Sequence, residues 1–317
     1  MIQPNSNIDA YKKEVGMMNL EKLIATREGV STKELAIPAA ELFTRYEQLY
    51  TGAISDVLRE FCLLDQALPG HLKPLRPERT VAGFAFTVKS APNVKISGEM
   101  TFRIQMLGEL HPHAVVVWDT SGDERATLWG GVMTATALGL GVKAAVIDGG
   151  IRDTHQILEK DFPVFYKYRS PNGSLGRCLI THYQIPIKLG DAVVRPGDIV
   201  MGDIDGVVIV PRDLACEVLL RAEEMKRNEK KIFSWVAAGE TIQEITGKGG
   251  YFYRGAASDP SMRAGKRESG FPGQGGGERL VSEVRCADQS NLRSEREEFR
   301  TVTKLDLFTM SLGVQGL

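Results

Sequence analysis

Two short and wholly apolar segments constrain the fold of this chain more than any other feature. Residues 114–118 read AVVVW and residues 144–147 read AAVI, and apolar runs of this length are typical of strands buried on both faces. A segment rich in Ala, Met and Leu, residues 127–140, lies between them and is predicted to be a helix. Strands that alternate with helices of this length predict an α/β domain with a largely parallel central sheet.

The same alternation continues on both sides of this centre. The spacing of apolar residues predicts helices over 51–61, 99–110 and 154–160, the first capped by Thr51, and strands over 81–89 and 164–168. After residue 185, short strand-like segments separated by Gly, Asp and Pro predict a β-rich meander that ends near residue 210. A long helix is expected from Arg212 to about Ala238, with Gly239 just past its end.

Composition divides the chain into three zones. We expect residues 1–48 to form a polar extension that is helical in part, because residues 39–50 carry apolar side chains at helical spacing. Residues 49–245 carry the α/β pattern and are predicted to be the domain. Residues 246–317 are rich in Gly, mixed in charge and poor in aliphatic side chains. Such a segment cannot bury enough apolar surface to offset its ordering entropy, so we predict a disordered C-terminal tail.

The charge balance and the missing motifs exclude several classes of protein. The chain has 39 basic and 40 acidic side chains, a formal net charge of −1, which argues against a general nucleic-acid binder. No apolar run is long enough to span a membrane, and the N-terminus lacks the apolar stretch of a secretory signal, so we expect a cytoplasmic protein. The cysteines and histidines form no CxxC or HExxH motif, which disfavours a zinc site of standard spacing.

The segment AVIDGGIRDTHQI, residues 145–157, is the most informative motif. We interpret it as a buried strand that ends at Asp148, a turn through the two glycines, and a helix opened by Arg152 and Asp153. Ligands of open α/β sheets bind beyond the carboxyl ends of strands. A guanidinium suits a carboxylate or enolate oxygen, and a carboxylate suits Mg²⁺ or Mn²⁺, so the pair could bind an α-keto acid. Equally, Asp153 could be a helix cap with Arg152 as its surface neighbour.

Three other groups of residues could contribute to a site. Gly130 and Gly131 stand at a predicted helix N-terminus, where free backbone N–H groups can hold an anion, although a glycine pair also permits close helix packing. The Asp residues of the segment 195–211 fit β-turns better than a metal cluster. By their spacing alone, Asp56 and Glu229 are isolated surface carboxylates.

Taken together and in order, these segments resemble a known family. The matching parts are TGAISD, VAGFAFTV, LWGGVMTATALGLGVKAAVIDGGIRD, FPVF and VRPGDIVMGDIDGVVIVP, which lie between about Leu49 and Gly239. They are similar to the regulator of ribonuclease E activity A (RraA-like) and the related 4-hydroxy-4-methyl-2-oxoglutarate and 4-carboxy-4-hydroxy-2-oxoadipate aldolases. The resemblance implies a swivelling β/β/α-type domain, assembled as a homotrimer or hexamer with the active site between subunits. The tail is not covered by it.

The resemblance also implies roles for the loop residues. Arg152 would contact the keto-acid substrate, and Asp153 would be the direct ligand of a divalent metal, Mg²⁺ or Mn²⁺. The backbone amides of Gly131, Val132 and Met133 would hold the pyruvyl carboxylate.

Two acidic residues would complete the site. The resemblance places Asp56 and Glu229 where aldolase members have catalytic acidic residues that reach in from the neighbouring subunit. One departure matters: aldolase members commonly carry an acidic residue directly after the Trp-Gly of the loop, and this chain has Gly131 there. One potential carboxylate near the metal is therefore missing.

The expected function is that of a class II, metal-dependent aldolase. It would cleave a 4-hydroxy-2-oxo acid to pyruvate and a second carbonyl product, with oxaloacetate decarboxylation as a further reaction. The loop has no lysine apart from Lys143, which disfavours a Schiff-base route. Two alternatives stay open, a non-catalytic regulator that binds a ribonuclease or a helicase, and a metal-dependent enzyme of the sugar-acid dehydratase type.

Overall fold

A single curled sheet joins nine of the strands in the part of the chain that the structure describes, residues 20–248 of a computed structural model. The strands are β1 Lys73–Pro74, β2 Val81–Pro92, β3 Ala114–Asp119, β4 Thr127–Trp129, β5 Ala144–Ile151, β6 Val164–Arg169, β7 Cys178–Tyr183, β8 Ile187–Leu189, β9 Ala192–Val194, β10 Ile199–Gly202 and β11 Val207–Val210. The order in the sheet is β1-β6-β5-β3-β2-β10-β11, with β4 paired to β5 and β7 paired to β2, and β8 and β9 form a separate hairpin.

Helices cover the sheet and its edges. They are α1 Leu20–Glu28, α2 Ala39–Tyr46, α3 Thr51–Glu60, α4 Glu99–Gly108, α5 Gly131–Gly139, α6 Thr154–Glu159, α7 Ala215–Ala237 and α8 Ile242–Gly247, with a 3₁₀ turn at Arg212–Leu214. Among the described residues, no helix combines the length and apolar character that a membrane span requires. The predicted tail lies outside the described residues except for its first three positions, which belong to the end of α8 and the residue after it.

The predicted α/β class is confirmed, with a largely parallel centre and antiparallel additions. Strands β2, β3, β5 and β6 pair in parallel, whereas β10, β11, β7 and β1 join the sheet antiparallel. All of β3 is buried. Its Val116 and Trp118 pack into a cluster with α4 and α5, and its Val115 and Val117 pack against the β8–β9 hairpin. Both faces of the strand are covered, which explains its unbroken apolar run.

Two predictions for the region of β4 and β5 are wrong. The helix expected from residue 127 begins at Gly131, because residues 127–129 form β4 and pair with the end of β5. The strand expected to end at Asp148 continues to Ile151, so Gly149 and Gly150 do not form a turn. Their lack of a side chain serves close packing instead: a Cβ on Gly149 would lie 2.7 Å from Cγ2 of Thr120, and one on Gly150 2.5 Å from Cε2 of Tyr168.

Two of the three acidic residues of the segment 195–211 hold turns, as expected. Asp198 is buried and accepts backbone N–H bonds from Arg195 and Arg212, and burial raises the pKa of its carboxyl to about 6. Asp203 is also buried and accepts the N–H of Thr51 at 2.7 Å and its hydroxyl at 2.8 Å. Thr51 therefore does not cap α3 itself, since the cap comes from a distant turn.

Replacing Asp203 by Ala tests this long-range cap. We expect the free energy of unfolding to fall by about 1–3 kcal/mol, because the buried N–H and hydroxyl of Thr51 lose their acceptor. Urea denaturation measures the change. The matched control is Asp205→Ala, which removes an exposed carboxylate from the same turn and should cost less than about 0.5 kcal/mol. Equal losses in the two variants would contradict the capping role.

Candidate active site

The backbone at the end of β5 aims the Asp153 carboxylate at a neighbouring helix. Asp153 stands at the N-cap position of α6 in the left-handed region, with φ of 53°, but its side chain makes no bond to that helix. Its Oδ2 instead accepts the backbone N–H of Gly131, the first residue of α5, at 3.2 Å. The helix-cap interpretation therefore holds for the backbone of Asp153 and not for its carboxylate.

Arg152 lies beside this carboxylate and is accessible to a ligand. Its Nε is 3.5 Å from Oδ2 of Asp153, and 47% of its side chain is exposed. Its backbone N–H donates to the carbonyl of Trp129, which fixes the start of the loop against β4. A Cβ on Gly173 would lie 2.8 Å from Nη1, so the guanidinium rests on the backbone of the loop after β6.

Both side chains line a cleft of about 510 Å³. Its walls are α4, the segment from β4 into α5, the end of β5 and the loop at 173–175. The lining residues are Glu99, Met100, Arg103, Leu107, Thr127, Leu128, Trp129, Gly130, Val132, Met133, Arg152, Asp153, Gly173, Ser174 and Leu175. A cleft of this size suits a small molecule.

The start of α5 gives the cleft unused backbone donors. Val132 and Met133 belong to the first turn, whose N–H groups have no acceptor within the helix. Val132 is 78% exposed, whereas Met133 is buried. Gly130 lets the charged pair lie against this turn, because a Cβ there would be 2.8 Å from Oδ2 of Asp153. The arrangement is suited to an anion held at a helix N-terminus next to a guanidinium.

The space beside Gly131 is taken by a side chain that sequence reasoning missed. A Cβ on Gly131 would lie 1.8 Å from Oε1 of Gln156, which is exposed on α6. A neutral amide therefore occupies the direction in which an acidic side chain at position 131 would begin. The signal in the sequence was weak, since Gln156 stands three residues beyond Asp153 with nothing to mark it.

A second ion pair in the cleft was also missed. Glu99 and Arg103 stand one turn apart on α4, and both are buried, with exposures of 1% and 8%. Arg103 Nη2 also donates to the hydroxyl of Ser174 at 3.0 Å, and its guanidinium lies 5.7 Å from the ring centre of Trp118. The i, i+4 spacing of a Glu and an Arg was visible in the sequence, but nothing in it indicated burial.

Asp56 and Glu229 do not line this cleft within the chain. Asp56 lies on α3, 3.2 Å from Arg59, and Glu229 lies on α7, where it accepts the hydroxyl of Tyr50. The pKa of Tyr50 is raised by burial first, then by the bond and charge of Glu229 and the charge of Asp56. The two carboxylates therefore lie near the same tyrosine.

The cleft residues fit a divalent ion bound at an open site. Within residues 20–248, no group of three or more His, Cys, Asp or Glu side chains could enclose a metal. Mg²⁺ is usually held by one or two carboxylates and otherwise by water and substrate oxygens. Asp153, half-exposed in a cleft with room for a ligand, fits that pattern.

Comparison with known proteins gives one family match and several relatives. A sequence model described as "RraA-like: Aldolase/RraA" matches residues 51–209. A protein of Halalkalibacterium halodurans named "Putative 4-hydroxy-4-methyl-2-oxoglutarate aldolase" is 30% identical over 190 residues, which cover 60% of this chain and 86% of that protein. Protein DlpA of Legionella pneumophila is 28% identical over 61% of this chain, but the match spans only 31% of DlpA.

A solved structure is more similar in sequence. It is described as "novel cellulases from microbes associated with the gut ecosystem" and is 71% identical. The match covers 70% of this chain and 100% of that one, with a TM-score of 0.67.

Alanine substitutions at Gly150 and Gly131 distinguish a glycine whose neighbours are fixed from one whose neighbour can move away. Gly150→Ala should lower the free energy of unfolding by about 1–3 kcal/mol, because the new Cβ meets Tyr168 and lies 3.0 Å from the carbonyl of Ala126. Gly131→Ala should change it by less than about 1 kcal/mol, because the exposed amide of Gln156 can move away. Urea denaturation of both variants checks this, and a larger loss at Gly131 would show that Gln156 is fixed.

Proposed function

The chain belongs to the RraA-like family, and from this premise we propose that it is a divalent-metal-dependent lyase. It cleaves a 4-hydroxy-2-oxo acid to pyruvate and a second carbonyl product. It also decarboxylates oxaloacetate, and both reactions pass through the enolate of pyruvate. The observation that carries the proposal is the meeting of Arg152, Asp153 and the first turn of α5 in one small cleft. The name of the Halalkalibacterium halodurans relative supports the reaction class. The cleft volume suits a small acid rather than a polysaccharide.

The 2-oxo acid end of the substrate is held by charge and by backbone donors. Its carboxylate accepts the N–H groups of Val132 and Met133, whose helix end favours an anion. Arg152 faces the oxygen that becomes negative when the C–C bond breaks. A preorganised donor of this kind lowers a barrier by about 3–4 kcal/mol.

Asp153 is the residue that would hold Mg²⁺ or Mn²⁺. When bound, the ion supplies Lewis-acid polarisation of the 2-oxo group. The bond from the Gly131 N–H orients Oδ2 of Asp153 and leaves the other carboxylate oxygen for a ligand.

Proton transfer from the 4-hydroxyl of the substrate needs a base. We assign this role to Asp56 and Glu229, supplied by a neighbouring subunit. A carboxylate within hydrogen-bond reach accepts the hydroxyl proton as the C–C bond breaks, and the enolate carbon then takes up one proton to give pyruvate. The assembly is then a homotrimer or hexamer whose sites are completed at the interfaces.

A non-catalytic regulator of a ribonuclease or helicase is the rival function. One observation favours it: an uncharged side chain, Gln156, fills the space beside Gly131. A regulator would keep the fold and the partner surface but release no pyruvate under any metal condition.

Pyruvate release, coupled to lactate dehydrogenase, tests the lyase. With Mg²⁺ or Mn²⁺ we expect turnover of 4-hydroxy-2-oxo acids, and loss of turnover in EDTA. Arg152→Ala and Asp153→Ala should each lower kcat/KM at least about 100-fold, as removal of a preorganised charge does in other enzymes.

The matched controls for these variants are Lys188→Ala and Asp191→Ala, which break an exposed ion pair outside the cleft. Both should keep the activity of the unmodified chain. Full activity in EDTA, or in either variant of the Arg152–Asp153 pair, would refute the mechanism.

Mixing two inactive variants tests whether subunits share the site. Asp56→Ala chains keep Arg152, and Arg152→Ala chains keep Asp56, so a mixed ring contains intact combinations at some interfaces. Refolding the two in equal amounts should restore about one quarter of the normal activity, which is the random share of such interfaces in a cyclic assembly. If the mixture is as inactive as its two components, Asp56 and Arg152 act within the same subunit, and the shared site is contradicted.

A further inference from the structure

Three arginines line a second cavity, which shares no lining residue with the cleft. The cavity has a volume of about 860 Å³ and lies between the end of β2, the turn at 124–125, the end of β6 and the loop before β7. Arg125, Arg169 and Arg177 belong to its wall, and all three are exposed. Cavities of roughly 300–1,000 Å³ are typical of small-molecule sites, so this one has room for a ligand.

The charge of these arginines is not neutralised by the surrounding chain. Among residues 20–248, no carboxylate forms an ion pair with Arg125, Arg169 or Arg177. The acidic residue of the wall, Glu124, is engaged elsewhere, since its Oε1 lies 3.0 Å from Nζ of Lys167. The wall therefore carries a surplus of positive charge, although the chain as a whole has a formal net charge of −1. Guanidinium groups gathered in this way are suited to bind an anion.

Contacts within the chain restrict where two of the guanidinium groups lie. That of Arg169 stands 5.1 Å from the ring centre of Tyr166. Nη1 of Arg177 donates to the carbonyl of Gly173 at 3.0 Å. A side chain that is already held in place loses less conformational entropy when a ligand binds to it. The site is therefore partly organised before an anion arrives.

The wall also has an apolar part. Pro92 and Val94 contribute aliphatic surface at the end of β2 and just beyond it, and Val94 is 88% exposed. Tyr168 adds an aromatic ring, whose hydroxyl donates to the carbonyl of Ala126 at 2.8 Å. An inorganic ion would leave this surface in water, whereas a ligand with an organic body would cover it.

We propose that this cavity binds an organic anion that carries at least two negative groups, phosphate or carboxylate, on a body with an apolar face. The negative groups pair with Arg125, Arg169 and Arg177, because the planar fork of a guanidinium matches either group. The body lies against Val94 and Tyr168. No residue of the cleft takes part, so the site does not depend on the lyase proposed above.

Calorimetric titration of the full chain with four compounds, in the absence of divalent ions, tests the proposal. ADP carries a diphosphate on an organic body, and benzene-1,3,5-tricarboxylate carries carboxylates on a flat one. Pyrophosphate has charge without a body, and adenosine has a body without charge. We expect the better of the two organic anions to bind about tenfold more tightly than pyrophosphate, and adenosine not to bind measurably.

The titrations also show which negative group the cavity prefers, since the better organic anion carries either phosphate or carboxylate. If neither organic anion binds, the site is overturned. Pyrophosphate bound as tightly as the better organic anion would reduce the cavity to a site for inorganic ions, and adenosine bound as tightly would remove the role of charge. Either result would contradict the proposal.

Arg125→Gln and Arg177→Gln, from different segments of the wall, place the ligand in the cavity. Each should weaken binding of the better organic anion about tenfold, because a hydrogen bond between charged groups is lost. The matched control is Lys188→Gln, which removes a positive charge from an exposed side chain outside the cavity and should keep the affinity. Equal weakening in the control, or unchanged affinity in both arginine variants, would indicate general attraction to surface charge and overturn the site. Circular dichroism checks that each variant folds, and a single folded arginine variant is enough to decide.

Discussion

The close packing of β5 against its neighbours is the constraint on which the site depends. At Gly149 and Gly150 the strand runs so near to Thr120 and Tyr168 that no side chain fits. The strand therefore stays in the sheet to Ile151 and places Arg152 and Asp153 beside the start of α5. A left-handed residue directly after Arg152 then turns the chain into α6 and aims a carboxylate across the cleft.

The cleft carries two ion pairs that differ in exposure, and the difference decides what each can do. Arg152 and Asp153 are accessible, so water screens their attraction and a ligand can replace it at small cost. Glu99 and Arg103 are buried, and separating them would leave an uncompensated charge. The first pair is suited to exchange partners with a charged substrate. The second is suited to a fixed structural role in the wall of the cleft.

Asp56 and Glu229 lie on two helices, α3 and α7, whose other faces pack in the core. Helices α3 and α7 bury apolar residues such as Ile54 and Leu219 in a common cluster, which turns Asp56 and Glu229 away from that cluster. Neither carboxylate lines the cleft of its own chain. In the proposed assembly they serve a neighbouring copy, as closed symmetry allows every copy to give and receive the same residues.

The sequence by itself determined the parallel centre of the sheet and the place of the Arg152–Asp153 pair just beyond one of its strands. The apolar run at 114–118 predicted a strand covered on both faces, and the position of the Arg-Asp pair after the next apolar run predicted that it lies beyond the carboxyl end of a parallel strand. Tertiary structure decided the rest. Whether Gly150 turned or stayed extended depended on Tyr168, and the capping of α3 depended on Asp203. The burial of Glu99 depended on elements far away in the chain, because local spacing carries no information about which distant surface will cover a residue.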